Sequence, residues 1–266
     1  MHPQPLRDKI PKHLQHHASF FKTQFRLTTA LQLTPRIAMP EKMCQAVKTT
    51  PQNSRLGGAA LISKNFPWPT DQCERPLIHL AQLNLAQLPE RTNFPNSGLL
   101  QFFVGDDSVF GLDTSANQKS KGSVVRLMPE QEYANAKLAY HHAEIATPIR
   151  NGYFEVTGKP YEQLPSVNDE QFILAAEKAG ISEAEIWDSM THEGRHIYAG
   201  GWPLFIQDDP RNDPSLELLL QIDSEDTPDS QVKISWGDAG VGHFFISSPD
   251  LERKDFSHVF YSWQCF

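Results

Sequence analysis

The chain is 266 residues long, 39% hydrophobic and 21% charged, with a formal net charge of −8. That length buries a large core in one domain or two, and the longest apolar runs, such as Leu218-Leu219-Leu220, are far too short to cross a bilayer. Residues 208–229 hold eight carboxylates against Arg211, a net −7, so the remainder carries −1 and offers no basic patch to a phosphate backbone, which argues against nucleic-acid binding.

Over residues 10–33, Ile10, Leu14, Phe21, Phe25 and Leu31 fall at helical spacing and predict an opening helix. From Arg55 the pattern turns to strands: Leu77–Leu85, stopped by Pro89, and Leu99–Val104, entered through the turn Pro95-Asn96-Ser97-Gly98. Val109–Leu112 is expected to pair back across Asp106-Asp107, and Ser123–Met128 to form another strand. Pro129–Ala146 begins with a proline and acids, as a helix N-terminus does. Phe172, Ala176 and Ala179 predict a helix that Gly180 stops, and Ser182-Glu183-Ala184-Glu185 reads as the capping box of another. Strands are then expected at His196–Ala199, Trp202–Gln207, Leu216–Ile222, Val232–Trp236 and His243–Ser247, and a strand or short helix at Phe256–Trp263. Turns between consecutive strands favour antiparallel pairing.

The chain also repeats itself. Gly57-Gly58, Leu80-Ala81-Gln82-Leu83 and Gly98-Leu99-Leu100-Gln101-Phe102-Phe103 are followed in the same order by Gly200-Gly201, Leu219-Leu220-Gln221-Ile222 and Gly240-Val241-Gly242-His243-Phe244-Phe245. Matched pairs lie 143 (Gly57, Gly200), 139 (Gln82, Gln221) and 142 (Gly98, Gly240) residues apart. The expected fold is therefore α+β and internally duplicated, with mostly antiparallel sheets in two related halves and flanking helices. Its segments are 1–50 (helical), 51–128 (first β-rich repeat), 129–195 (helical insert) and 196–266 (second repeat), within one compact domain.

Those same words resemble a known family. Phe66-Pro67-Trp68-Pro69, Pro76 to Asn84, Gly200-Gly201-Trp202-Pro203, Phe205 to Asp209, Leu219 to Ser224 and Trp236-Gly237-Asp238-Ala239-Gly240-Val241-Gly242-His243 are similar to the YwqG-like bacterial proteins, a domain of unknown function, over roughly residues 50–264. The chain departs from that pattern at Ala59-Ala60 and Lys64-Asn65, where the family shows proline-rich text. The resemblance implies a soluble α+β fold and brings no activity, cofactor or catalytic residue.

Several constellations could carry chemistry. His192-Glu193-Gly194-Arg195-His196 is an H-E-x-x-H pattern; on a helix both histidines share a face and a zinc, with Glu193 as general base. Gly194 costs about 1 kcal/mol relative to Ala inside a helix, and positions 199 and 202 are Ala and Trp, so no metzincin continuation follows. The run from Trp236 to His243 lacks the ending of a phosphate loop and reads as a tight turn with Asp238 bonding backbone amides, or as a binding rim of Trp236, Asp238 and His243. Gln82 and Gln221 are polar residues inside apolar strands, expected to pair structurally between the halves rather than to bind a substrate, which is the alternative role. Asp223, Glu225 and Asp226 offer oxygen ligands without the spacing of an EF-hand. No cofactor is expected. Cys44, Cys73 and Cys265 are isolated and no apolar leader opens the chain, which points to reduced thiols in a cytoplasm.

The leading expectation is a non-enzymatic cytoplasmic protein that holds a basic protein partner through the acidic face of the second repeat, in one version an immunity-like inhibitor. The alternatives are a zinc hydrolase using His192, Glu193 and His196, and a small-ligand site in the cleft between the repeats.

Overall fold

The structure, a computed structural model, describes residues 10, 12–89, 94–112, 122–187, 197–226 and 230–266. Its framework is a ten-stranded antiparallel sheet. In chain order the strands are β1 (Arg26–Ile37), β2 (Arg55–Gly57), β3 (Ile78–Asn84), β4 (Leu99–Val104), β5 (Ser123–Met128), β6 (Gly152–Gln163), β7 (Tyr198–Ala199), β8 (Glu217–Asp223), β9 (Val241–Ile246) and β10 (Phe260–Gln264). They lie side by side as β10-β9-β8-β7-β1-β6-β2-β3-β4-β5.

The centre of this order is the β1–β6 pair, in register over all 12 residues from Arg26–Gln163 to Ile37–Gly152. Pro35 and Pro160 are tolerated because each falls where its strand has lost its neighbour on the other side: β7 pairs β1 only at Thr29 and Ala30, and β2 pairs β6 only at Tyr153–Glu155. Outward from the centre the two sides match. Strands β3 and β8 are offset by 139 residues at both ends, and β4 and β9 by 142. The register slips once at Leu80 in the β3–β4 ladder and once at Leu219 in the β8–β9 ladder. β1 precedes the first set of strands in the chain but borders β7, whereas β6 precedes the second set and borders β2.

The sheet is strongly curled. Phe102 on β4 and Phe244 on β9 are seven strand positions apart, roughly 34 Å in a flat sheet at about 4.8 Å per strand. Their ring centroids are nonetheless 4.9 Å apart. The main core therefore mixes residues of both sides, including Leu56, Leu83, Phe102 and Phe154 with Leu219, Ile222, Phe244 and Trp236.

Helices α1 (Ala18–Gln24), α2 (Met43–Ala46), α3 (Glu170–Lys178), α4 (Glu183–Trp187) and α5 (Ser248–Arg253) flank the sheet. The α3 and α4 boundaries follow their sequence signals. Asp169 caps α3 by accepting from the Phe172 N–H at 3.0 Å, and Gly180 follows the helix at φ +77. At α4, Ser182 and Glu185 bond reciprocally, Ser182 N to Glu185 Oε2 at 2.9 Å and Glu185 N to Ser182 Oγ at 3.4 Å. Phe21 of α1 and Phe172 and Ala176 of α3 form a second core with Trp202. Among the described residues no helix is long and apolar enough to cross a membrane.

Four sequence expectations are corrected. The helix expected over 10–33 ends at Gln24, and residues 26–37 are the central strand β1; Thr28 and Thr29 are β-branched and buried, and pairing along the full length of β6 outweighs the apolar spacing. Pro129–Ala146 is not a helix but a 3₁₀ turn, Glu130–Asn135, and a short strand, Lys137–Ala139, paired with Ala60–Ile62. Its acid Glu132 accepts from Ser63 Oγ at 2.6 Å and Asn65 Nδ2 at 2.8 Å instead of serving a helix N-terminus. Val109–Leu112 is a turn in which Asp107 Oδ1 accepts from the N–H groups of Val109 and Gly111. Trp202–Gln207 forms no strand; its backbone is satisfied by buried side chains, with Leu204 N donating to Gln221 Oε1 and Ile206 N to Gln264 Oε1. The segments 1–50 and 129–195, expected to be helical, thus contain the two longest strands.

Candidate functional site

Of the residues singled out in the sequence, Gln82, Gln221, Asp223, Trp236 and His243 are buried. Gln82 and Gln221 do not pair with each other. Gln82 Oε1 accepts from Leu61 N (3.3 Å) and Gln101 Nε2 (3.1 Å), while its amide donates to the carbonyls of Pro51 and Asn53. Gln221 accepts from Leu204 N at 2.8 Å, and Leu204 O in turn faces His243 Nε2 at 3.0 Å. The matching carbonyl in the first half, Leu61 O, is bonded by Gln101 Nε2.

Trp236, Asp238 and His243 make no common rim. Trp236 lies over Gly242, where an added Cβ would be 2.5 Å from the indole. It packs on Phe110, Tyr261 and Trp263. His243, one residue on from Gly242, points to the opposite face of β9, where its ring stacks on Phe245 and lies tilted against Phe205. Both are fully buried. Asp238 is exposed, and among the described residues its side chain makes no hydrogen bond; the turn is closed by Gly240 N to Trp236 O at 2.8 Å. Asp223 is buried, whereas Glu225 and Asp226 are exposed and Asp226 pairs with Lys233 at 2.9 Å. His192, Glu193 and His196 lie outside the described residues. Among the described residues, Asp250, Asp255 and His258 are a trio with ligand atoms within 4.8 Å of one another. Asp250 is already engaged by Arg253 and Ser247, and Asp255 by Ser257.

A cleft of about 390 Å³ opens at the start of β1, between the second half and a loop of the first. It is lined by Gly200 and Gly201 of the Gly200-Gly201-Trp202 turn that follows β7. Gly200 and Gly201 have φ +76 and +88, and an added Cβ at Gly201 would meet Gln163 Oε1 at 2.4 Å and Thr28 Cβ at 2.7 Å. The β1–β6 pair pins this turn: Thr28 Oγ1 donates to Gly200 O at 2.7 Å, and the Gln163 amide both donates to Trp202 O and accepts from Trp202 N at 2.9 Å. Trp202 is buried, its indole N–H donating to Gln24 O at 2.7 Å.

On this platform lies Arg26. Its guanidinium sits 3.4 Å from the centroid of the Trp202 ring, and Nη2 donates to Gln171 Oε1 at 2.9 Å. Burial pulls the Arg26 pKa down, opposed by the charges of Asp169 and Glu217. Among the described residues Arg26 has no carboxylate within ion-pair distance. The neighbouring arginine is different: Arg211 is enclosed by Asp169 (2.8 Å) and Asp209 (2.5 Å), all three side chains being nearly inaccessible. Glu217 and Ser248, hydrogen-bonded to each other, also line the cleft with Ser215, while Phe25, Leu27, Phe94 and Leu218 supply apolar wall.

The corresponding place in the first half is filled. There Gly57 and Gly58 also have positive φ, +72 and +74, but an added Cβ would meet Ile149 at 2.9 Å and Tyr153 at 3.1 Å. Met43, Val47 and Ala59 pack around Tyr153. The buried Arg55 donates to the carbonyls of Thr50, Pro51 and Ala59. Sequence reading missed Arg26 because it took that residue for part of a helix; the Gly-Gly-Trp word was the available signal.

A family model described as a domain of unknown function (DUF1963) matches residues 54–265, and the chain belongs to that family. No curated protein matches it.

Proposed function

We propose that this member of the DUF1963 family is a binding protein that holds a small polar molecule in the cleft above Gly200-Gly201-Trp202. The observation that carries the reading is Arg26: a half-buried guanidinium, oriented by Trp202 and Gln171, with no carboxylate partner among the described residues and an open cleft before it. A desolvated cation is costly unless something neutralises it, and Arg is well suited to a planar carboxylate. The cleft volume lies within the few hundred Å³ typical of small-molecule sites.

This reading displaces the acidic face as the first choice. Asp209 is engaged with Arg211, Glu217 with Ser248 and Asp226 with Lys233, and Asp223 is buried. What remains on the surface of that window is thinner than its net charge suggests.

The two sides of the sheet are, in our reading, copies of one ancestral unit. Support comes from the matched bulges at Leu80 and Leu219, the paired left-handed glycines, and the equivalent bonds of Leu61 to Gln82 and Leu204 to Gln221. The second copy is the one specialised for binding. We also place the protein among the YwqG-like proteins and in the cytoplasm, for which the three free thiols Cys44, Cys73 and Cys265 are support.

A thermal-shift screen of small carboxylates, amines and amino acids tests the site. Hits should stabilise the native chain and lose their effect in Ser215→Trp, which fills the cleft from an exposed position. Hits that survive Ser215→Trp would place binding elsewhere.

A further inference from the structure

Resting on that binding reading, we propose that the occupant is a zwitterion: an α-amino acid with an apolar side chain, its carboxylate held by Arg26 and its ammonium group by Glu217. Arg211 is held within its own buried cluster by Asp169 and Asp209, and the surplus negative charge of that cluster also reaches Arg26 through Asp169. Among the described residues lining the cleft, the charged side chains are one cation, Arg26, and one carboxylate, Glu217. Among the described residues they form no ion pair with each other, so their charged atoms are more than 4.0 Å apart. They are still close enough for Glu217 to favour the charged form of Arg26. A ligand bearing both signs satisfies both. A phosphate would face Glu217, and a simple amine would face Arg26, each at the cost of like-charge repulsion.

Hydrogen-bonding capacity agrees. Arg26 gives one N–H to Gln171 and keeps its other donors, enough for a bidentate grip on a carboxylate. Ser248 occupies Glu217 Oε1 and orients the group, and Oε2 remains for an ammonium. The positive-φ turn at Gly200 and Gly201 brings bare backbone to the cleft, which lets a small ligand approach closely. Phe25, Leu27, Phe94 and Leu218 provide the wall for an apolar side chain, and Leu27 is 52% exposed although apolar.

Isothermal titration of the native chain with L-leucine and L-phenylalanine, beside 4-methylpentanoate (leucine without its amine) and 3-methylbutylamine (leucine without its carboxylate), tests the inference. At least one amino acid should bind one-to-one, with each analogue of leucine weaker by tenfold or more. Glu217→Gln should remove the preference for the amino acid over the acid, and Arg26→Gln should abolish binding of both, with melting curves of each variant confirming that it folds. If 4-methylpentanoate binds as tightly as leucine, the zwitterion is wrong and the cleft stands. If no amino acid binds but another compound does and is lost in Ser215→Trp, the proposal alone fails. If nothing binds at all, both fail together.

Discussion

Phe102 and Phe244 come from opposite ends of the sheet and meet edge to face in the core, their ring centroids 4.9 Å apart. Each is fully buried, and Phe244 also stacks on Tyr261 at 4.8 Å. The contact closes the curled sheet upon itself. Phe244→Ala should therefore lower stability by about 3–5 kcal/mol, the range for a buried Phe truncated to Ala. Denaturant unfolding of wild type and variant would measure it; a loss below about 1 kcal/mol would show that the two sides do not share a core.

Strand exchange makes a second prediction. Because β1 lies against β7, and β6 against β2, neither side has its complete sheet without the other. Fragments 1–142 and 143–266 should each be unfolded when expressed alone and should regain native circular dichroism on mixing. A fragment that folds cooperatively by itself would contradict this interlocking.

Buried ionic contacts should separate sharply from exposed ones. Asp169→Ala uncouples a buried arginine and uncaps α3, so a cost of about 3–5 kcal/mol is expected. Asp226→Ala breaks a bridge to Lys233 in which both side chains are at least half exposed, and should cost about 0–1 kcal/mol. Comparable losses in chemical denaturation would contradict the assigned burial.

How far these features could be read from the sequence depends on the range of the signals. Strands β3, β4, β8 and β9 were legible because an apolar run ends in Gly, Pro or Asp, and the capping box at Ser182 because it is complete within four residues. β1 was not legible: Phe21, Phe25 and Leu31 fit a helix locally, and the pairing that overrides this comes from residues about 125 positions away. The cleft was hidden for the same reason, since Arg26 and Trp202 meet only after folding. The matched words already align Gln101 with His243, but the equivalence of their bonds to the carbonyls of Leu61 and Leu204 was unreadable without the fold.

That last equivalence gives a pH prediction. Burial holds the pKa of both His79 and His243 down to about 3. In the unfolded chain a histidine titrates near 6.5. The unfolded state therefore takes up protons first, and stability is lost as pH falls from about 6.5 towards 3, by about 1.4 kcal/mol per pH unit for each histidine. His243→Gln places the first half's residue in the second half and should preserve the bond to Leu204 O. Between pH 7 and pH 5 the wild type should lose about 2 kcal/mol more than this variant. Equal losses would show that His243 is not buried in neutral form.

The cleft itself is most directly tested by ¹H–¹⁵N correlation spectra of the native chain, recorded with and without a compound found to stabilise it. Saturable shifts should concentrate in the backbone amides of Arg26, Gly200, Gly201, Glu217 and Ser248 and the side-chain amide of Gln171. Shifts confined to the exposed acids Asp208, Asp213, Glu225 and Asp226, with those cleft amides unmoved, would contradict it.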